Sequence, residues 1–94
     1  MRVYISGGIT GVENYREKFN KAQKELEKEG HDVFNPALYA ETLPKLTYDE
    51  YMQLGFQFLN MCDVIYMLKD WQKSCGANRE YGYALATDKI ILEE

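Results

Sequence analysis

The chain has 94 residues, of which 46% are hydrophobic and 14% aromatic, and its formal net charge is −4 at pH 7. A chain of this length has room for a single core, so we expect one domain over residues 1–94. The negative charge argues against a basic face for a nucleic-acid polymer, and no apolar run approaches the ~20 residues of a membrane span. The start lacks the apolar region of a signal peptide, so we expect a cytoplasmic protein.

The histidine and cysteine content excludes two classes of active site. His31 is the only histidine and lies in a Gly-His-Asp turn, which excludes a histidine-based triad and a zinc site. Cys62 and Cys75 lack the spacing of metal ligands and are interpreted as free thiols in a reducing compartment. No histidine follows Cys75 to act as its base, so a small residue that fits its loop explains it better than a nucleophile. We expect neither a metal ion nor a cofactor.

The first predicted element is a strand, Arg2–Ser6, which runs directly into the glycine-rich loop Gly7–Gly11. Glycine permits positive φ and lets a ligand approach the backbone closely. The spacing of the three glycines matches neither the GxGxxG fingerprint nor a Walker loop. A tight strand-to-helix turn explains this loop without any ligand, so a binding role and a structural role both stay open here.

An amphipathic helix is predicted over about residues 13–29. Four apolar residues spaced by four, three and four positions share one of its faces: Tyr15, Phe19, Ala22 and Leu26. Asn14 is its candidate N-cap and Gly30 its C-terminal stop. A short second strand, Asp32–Pro36, follows. The next loop, Ala37–Leu46, contains Pro44 and is long for so small a domain, which is typical of a lid or of a dimer contact.

A second helix begins at the capping box formed by Thr47 and Glu50 and runs to about Cys62. Its predicted core stripe has four members: Tyr51, Leu54, Phe58 and Met61. Met52 and Leu59 widen this stripe, and a partner subunit is the most economical use of the extra apolar surface. We therefore expect a homodimer or a higher homo-oligomer.

The third predicted strand, Asp63–Leu68, is apolar throughout, as a central parallel strand covered on both faces should be. A third helix over about Asn78–Thr87 and a fourth strand, Lys89–Leu92, complete a β-α-β-α-β-α-β pattern. Right-handed crossovers turn this pattern into a three-layer α/β/α sandwich. Its four-stranded parallel sheet is predicted in the order 2-1-3-4, as in Rossmann- and flavodoxin-like folds.

Two loops in this arrangement flank the point where the strand order reverses, which is where open α/β sheets bind ligands. They are Gly7–Gly11 after the first strand and Ser74–Ala77 after the third. Ser74 and Gly76 offer a hydroxyl and backbone N–H groups to an anion at the start of a helix. Glu80 is the carboxylate placed at this crevice, and it is the candidate chemical group.

A structural explanation for Glu80 stands beside the chemical one. If Asn78 is the N-cap, Glu80 lies in the first turn and only complements the helix dipole; if Ser74 is the N-cap, Glu80 lies beyond the first turn and the dipole explains little. Tyr4, at the end of the first strand, is a core residue whose hydroxyl is able to reach a carboxylate in the crevice. Trp71 fits both a stacking surface for a base and an interface residue.

Several motifs, taken together over nearly the whole chain, resemble those of one family. They are Tyr4-Ile5-Ser6-Gly7, the helix ending in Gly30, the Asn35-Pro36 strand end, Cys62–Leu68, Trp71 and Ser74-Cys75-Gly76-Ala77-Asn78-Arg79-Glu80. On these motifs the chain resembles the DUF4406 family, which is similar to the nucleoside 2-deoxyribosyltransferases and the 2'-deoxynucleoside 5'-phosphate N-hydrolases. The Ser-x-Gly-x-x-x-Glu motif with the following Tyr-Gly-Tyr-Ala is the most specific part.

The resemblance implies a nucleoside deoxyribosyltransferase-like domain that cleaves the N-glycosidic bond of a small-molecule nucleoside or nucleotide. It implies that Glu80 is the nucleophile at C1' of the deoxyribose, that Tyr4 orients this glutamate, and that Ser74 contacts a 5'-phosphate. It also implies an oligomer whose sites borrow residues from a neighbour. We expect the substrate to contact a set of residues around the crevice: Ser6, Gly7, Gly8, Ile9, Asp70, Trp71, Ser74, Gly76 and Ala77.

The chain departs from the related enzymes at three places. Gly55 occupies the position, eight residues before Asp63, where those enzymes often carry an aspartate that helps to hold sugar or base. Gly8 stands where the hydrolases have a phosphate-contacting serine, and the sequence ends before a C-terminal strand that supplies site residues in the transferases. These departures favour an alternative function, a non-catalytic module that binds or senses a nucleotide in the same crevice.

Overall fold

Four strands form one parallel sheet. The strands are β1 (Arg2–Ser6), β2 (Asp32–Phe34), β3 (Val64–Met67) and β4 (Ile90–Glu93), and the helices are α1 (Tyr15–Lys28), α2 (Tyr48–Asn60) and α3 (Cys75–Ala86). The order of the strands in the sheet is β2-β1-β3-β4. This computed structural model describes residues 1–40, 42–43 and 45–94; Pro44 of the predicted long loop, like Glu41, lies outside the described residues. The predicted α/β fold and strand order are confirmed.

The alternation of side chains along β1 separates the two layers of the core. Val3 and Ile5 point to the face covered by α1, where they pack with Phe19 and other apolar residues of that helix. Tyr4 points to the opposite face, which α2 and α3 cover. Ser6 lies two residues after Tyr4 in the strand, so its hydroxyl points to the α2–α3 side as well. None of the helices in the described ranges is long and apolar enough to cross a bilayer.

The segment after β2 differs from the prediction, because proline ends the strand earlier than expected. Asn35 accepts a hydrogen bond from the backbone N–H of Ala37 at 2.9 Å and so starts a 3₁₀ turn over Pro36–Leu38. The Asn35 amide group donates in turn to side chains of α1. The Asn35 side chain therefore fixes the turn after β2, because it binds both the turn itself and α1.

Asn14, the predicted N-cap of α1, makes no side-chain capping hydrogen bond among the described residues, and α1 begins at Tyr15.

Helix α2 begins as predicted but presents a different face to the core. Thr47 and Glu50 form the capping box, with the hydroxyl accepting from the Glu50 N–H at 3.2 Å and the carboxylate from the Thr47 N–H at 2.9 Å. The buried positions of α2 are Met52, Gly55 and Leu59, whereas the predicted core residue Met61 is 48% exposed. Met52 and Leu59 are buried within this protein. The prediction that their apolar side chains form a surface for a partner subunit was therefore wrong. Homo-oligomerisation itself stays a prediction.

Helix α3 begins three residues before the predicted Asn78. Ser74 has an extended backbone and its hydroxyl accepts a hydrogen bond from the Ala77 N–H at 3.1 Å, which makes Ser74 the N-cap. Glu80 therefore lies in the second turn of α3. Because the effect of the helix dipole falls off within the first turn, the dipole gives no structural reason for a carboxylate at this position.

Candidate active site

Glu80 is a buried carboxylate held by two hydroxyl groups of β1. Its side chain is on α3 and only 8% of the residue is exposed. The Tyr4 hydroxyl donates a hydrogen bond to Oε2 at 2.5 Å, and the Ser6 hydroxyl donates one to Oε1 at 2.6 Å. Hydrogen bonds of this length to a carboxylate are among the stronger ones in proteins. The two donors join β1 to α3 and fix both carboxylate oxygens.

Burial dominates the acid–base behaviour of this group. Burial raises the pKa of the Glu80 carboxyl, while the hydrogen bonds from Ser6 and Tyr4 and the positive charge of Arg79 lower its pKa in part. Burial and the nearby charge of Glu80 raise the pKa of Tyr4 well above its usual value. Tyr4 therefore keeps its proton and acts as a hydrogen-bond donor. The result is a poorly solvated carboxylate in one fixed orientation, which is what a carboxylate nucleophile requires.

A cavity of about 730 Å³ opens over the Glu80–Tyr4 pair. Its volume is within the range of small-molecule sites, which is roughly 300–1,000 Å³. Four parts of the chain line it: the loop after β1, the turn after β2, the first turns of α2, and the start of α3. The lining residues beyond Tyr4 and Glu80 include Gly7, Ile9, Thr10, Pro36, Tyr39, Ala40, Tyr48, Tyr51, Met52, Lys73, Ser74, Cys75, Gly76, Ala77 and Arg79.

The structure brings most of the expected substrate-contacting residues to this cavity. Gly7, Ile9, Ser74, Gly76 and Ala77 line it, together with the Glu80–Tyr4 pair. The two loops that carry them lie side by side because β1 and β3 are neighbours in the sheet.

Four of the expected residues lie outside the cavity lining that the described residues form. Ser6 is fully buried and contacts Glu80, and a Cβ at Gly8 would lie 3.1 Å from Val12 Cγ2 and 3.7 Å from the Cβ of Ser74. Asp70 has a left-handed backbone and precedes a 3₁₀ turn. The Trp71 ring stacks on an α3 tyrosine at 4.6 Å, and its indole N–H donates to Glu93. Ser6 thus acts on the site through Glu80, whereas Trp71 has a packing role in this structure.

A family model described as a domain of unknown function, DUF4406, matches residues 1–93 of this chain. The chain belongs to the DUF4406 family. Among solved structures, a 2-desoxiribosyltransferase from Leishmania mexicana is similar to this DUF4406 protein, with a TM-score of 0.75 and 20% sequence identity. The similarity covers 98% of this chain but 62% of that protein, and at this identity it shows a shared fold. No curated protein matches the sequence.

Gly55 of this DUF4406 protein brings the backbone of α2 against the catalytic candidates. A Cβ at this position would lie 2.8 Å from the Tyr4 hydroxyl oxygen and 3.0 Å from Glu80 Oε2. The first distance is shorter than real Cβ atoms show and the second is unusually tight, so the hydrogen-bonded pair or α2 would have to shift to admit a side chain. The sequence shows Gly55 only as a missing carboxylate. In the folded protein it is the residue that lets α2 close over Tyr4 and Glu80.

Several cavity residues were missed at the level of sequence. Tyr48 and Met52 are one helical turn apart on α2, and this spacing is a signal for a shared face. Arg79 lies 5.8 Å from the centre of the Tyr48 ring and 3.6 Å from the Asp49 carboxylate, which places a cation at the rim. Tyr39 is in a loop without periodicity, so no pattern in the sequence indicated that it faces the cavity.

Proposed function

We propose that this protein cleaves the N-glycosidic bond of a deoxynucleoside or its 5'-monophosphate, with Glu80 as the nucleophile. The single observation that supports this best is the Glu80 carboxylate, buried at the cavity and held by the hydroxyls of Tyr4 and Ser6. Burying a carboxylate costs free energy, and structural reasons for it, such as a helix dipole or an ion pair with a buried cation, do not account for this one. A role as the nucleophile accounts for the burial of the Glu80 carboxylate.

The proposed reaction has two displacements at one carbon. A Glu80 oxygen attacks C1' of the sugar, the C1'–N bond breaks, and its electron pair leaves with the base, which takes a proton from solvent. The covalent glycosyl-enzyme is then attacked at C1' by water or by a second base, which loses a proton to solvent as the bond between C1' and Glu80 breaks and Glu80 is released as a carboxylate. Tyr4 keeps its proton throughout and orients the carboxylate, as does Ser6.

The rim of the cavity suits an anionic group on the substrate. Lys73 and Arg79 are cationic residues in the lining, and the first turn of α3, whose backbone N–H groups favour an anion, lines the cavity as well. The Ser74 oxygen accepts from Ala77, so its own proton is free to donate to a phosphate oxygen. We therefore propose that Gly7, Ser74 and Gly76 cradle a 5'-phosphate or the sugar.

The proposal is tested by free-base release from a panel of deoxynucleosides and their 5'-monophosphates, measured by chromatography. We expect release from at least one member by the wild-type protein and none by Glu80→Ala. Equal release by both proteins would contradict the role of Glu80.

A second candidate function is a non-catalytic module that binds or senses a nucleotide. It is favoured by Gly55, because α2 carries no carboxylate at the position where related enzymes hold the sugar or base. Calorimetric titration of the same panel separates the two functions. Tight binding of a nucleotide that stays intact would support the module and overturn the glycosidase.

Removing either hydroxyl donor is expected to shift the pH dependence of turnover. The hydrogen bonds from Ser6 and Tyr4 lower the pKa of Glu80, so Ser6→Ala and Tyr4→Phe each raise it. The acid limb of the kcat/KM profile should move to higher pH in both variants. At neutral pH we expect a loss of about tenfold or more, since a hydrogen bond to a charged group contributes about 1.5–3 kcal/mol.

The matched control for this pair is Tyr66→Phe. Tyr66 is on β3 and packs on the α1 side of the sheet, away from the cavity. Its pH profile should superimpose on that of the wild-type protein. An unchanged acid limb in both Tyr4→Phe and Ser6→Ala would show that Glu80 ionisation does not control the rate.

A further inference from the structure

Strand β4 is an open edge of the sheet, because among the described residues it pairs with β3 alone. The backbone N–H groups of Ile90 and Glu94 donate to carbonyls of the β3 segment at 3.0 and 2.9 Å. Since the direction of these groups alternates along a strand, the N–H groups of Ile91 and Glu93 point to the open side. Such a row of backbone donors and acceptors is a template for pairing with another strand.

The side chains at this edge are apolar and exposed on the α1 side of the sheet. Ile90 and Leu92 are 47% and 42% exposed, whereas Val64, the neighbour of Ile90 on β3, is 2% exposed. Helix α1 therefore covers β3 and leaves β4 open. Native edge strands are usually protected by a charged side chain, a proline or a bulge. The run Ile90–Leu92 contains neither a charge nor a proline.

The apolar surface continues onto α3 on the other side of the sheet. Tyr81 stacks on the Trp71 ring, and the Trp71 indole N–H donates to Glu93, so Tyr81 lies on the β4 side of α3. Leu85 is one helical turn further along the helix and is 53% exposed. Exposed apolar side chains thus flank the open edge on both faces of the sheet, as they do at protein interfaces.

We propose that a second copy of this chain pairs with β4 in antiparallel orientation, about a two-fold axis at Ile91. In this register Ile91 exchanges backbone hydrogen bonds with the partner's Ile91, and the Glu93 N–H donates to the partner's Lys89 carbonyl. Ile90 lies opposite the partner's Leu92, so the exposed apolar side chains cover each other. The joined sheet has the two cavities at opposite ends, because antiparallel strands have their carboxyl ends on opposite sides.

The charges that flank β4 are complementary in this register, and they favour a second copy over another protein. Lys89 lies opposite the partner's Glu93, and the two-fold axis repeats this pair. Lys89 and Glu93 each make one hydrogen bond within their own chain, so the ammonium and the carboxylate both keep bonding capacity. Asp88 has a left-handed backbone with φ 57°, so the extended conformation does not reach it and does not bring it opposite the partner's Glu94.

The test exchanges the two charges and measures the dissociation constant of the dimer by sedimentation equilibrium. Lys89→Glu and Glu93→Lys each set like charges opposite each other twice in a homodimer, so each should raise the dissociation constant about 10-fold or more. In an equimolar mixture of the two variants every pair is complementary again, and dimers should form with about the wild-type affinity. This recovery depends on the proposed register, and a general loss of stability would not produce it.

An apolar position provides a second variant with a matched control. Leu92→Lys should also raise the dissociation constant, because it sets a charge against the partner's Ile90. Leu38→Lys should leave the constant unchanged, since Leu38 is exposed as well but follows β2 at the opposite edge of the sheet.

Three outcomes would overturn the proposal. They are a wild-type protein that stays monomeric up to millimolar concentration, a mixture of the charge variants that dimerises no better than its components, and equal effects of Leu92→Lys and Leu38→Lys. The measurements need no ligand, so their outcome is independent of the proposed function.

Discussion

Glu80→Gln should abolish base release and, at neutral pH, make the folded protein more stable. An amide has nearly the shape of the carboxylate: its oxygen accepts from one β1 hydroxyl, and its NH₂ group donates to the oxygen of the other. It is not able to form the glycosyl-enzyme. Loss of an essential nucleophile typically lowers kcat by about 10³-fold or more, so release from any member of the nucleotide panel should fall to background.

The gain in stability follows from the direction of the Glu80 pKa shift. Burial raises the folded-state pKa of Glu80 above the ordinary value of 4.5, so over the interval between the two values the folded protein binds more protons than the unfolded chain. Wild-type stability therefore falls as pH rises through that interval. Glutamine carries no charge and avoids this loss. The advantage of Glu80→Gln should be largest at neutral pH and should shrink below pH 4.5.

Thermal melts of both proteins between acidic and neutral pH measure this advantage. In a domain of this size, 1 kcal/mol shifts the melting temperature by about 4–8 °C. The exposed carboxylate Glu25 on α1 gives the control, and Glu25→Gln should show no comparable dependence on pH. A Glu80→Gln protein that melts below the wild type at pH 7, or that still releases base, would contradict the assigned state of this residue.

The sequence was sufficient for the parts of the molecule that local patterns control. The apolar run Val64–Leu68 predicted a central strand, and the β-α-β alternation with right-handed crossovers predicted the strand order. The sequence also placed the loops after β1 and β3 at one edge of the sheet. Whether Ser74 or Asn78 capped α3 was left open, because both are good N-cap residues and boundaries are uncertain by a few positions.

Contacts between distant segments account for what the sequence did not reveal. Tyr4 and Glu80 are 76 residues apart. The position of Tyr4 at the end of the first strand indicated that its hydroxyl is able to reach a carboxylate in the crevice, and the family resemblance implied that this carboxylate is Glu80. The buried face of α2 was predicted one residue out of phase, because the prediction relied on large apolar residues and so left out Gly55. Tyr39 follows a turn whose geometry depends on the bonds that the Asn35 amide makes to α1.

Two features that weaken folding meet at the same point of this protein. A carboxylate is buried at Glu80, and a glycine occupies the interior of helix α2 at Gly55. A glycine in a helix interior costs about 1 kcal/mol relative to alanine. Such departures from the rules of stable folding are expected at functional sites, and their convergence beside one cavity supports the site assignment independently of any family resemblance.

Gly55→Ala is expected to impair the site although alanine is the better helix former. Alanine stabilises a helix interior by about 0.8–1.0 kcal/mol relative to glycine. Its Cβ, however, would lie 2.8 Å from the Tyr4 hydroxyl oxygen and 3.0 Å from Glu80 Oε2, so α2 or the pair has to move. Overpacking of a core costs about 1–3 kcal/mol, and a displacement of about 1 Å at a reacting group costs up to about 10²-fold in rate. We expect kcat/KM to fall by about 10- to 100-fold and stability to fall slightly.

Gly82→Ala is the matched control for this substitution. Gly82 is in the interior of α3, and a Cβ there would meet nothing within 4 Å among the described residues. It should therefore show the helix-propensity gain alone, with a higher melting temperature and unchanged turnover. If Gly55→Ala behaved in the same way, the close approach of α2 to Tyr4 and Glu80 would have no functional role.

Gly55→Asp separates two explanations of this glycine. If the position merely lacks a useful carboxylate, aspartate should improve catalysis. The structure leads to the opposite expectation, since the aspartate Cβ makes the same short contacts as alanine and its charge lies beside the Glu80 carboxylate. A neighbouring negative charge raises the pKa of Glu80 further and so keeps it protonated to a higher pH. Gly55→Asp should therefore lose more kcat/KM than Gly55→Ala, with its acid limb at higher pH, whereas activity at or above the wild-type level would mean that α2 moves away from the pair at little cost.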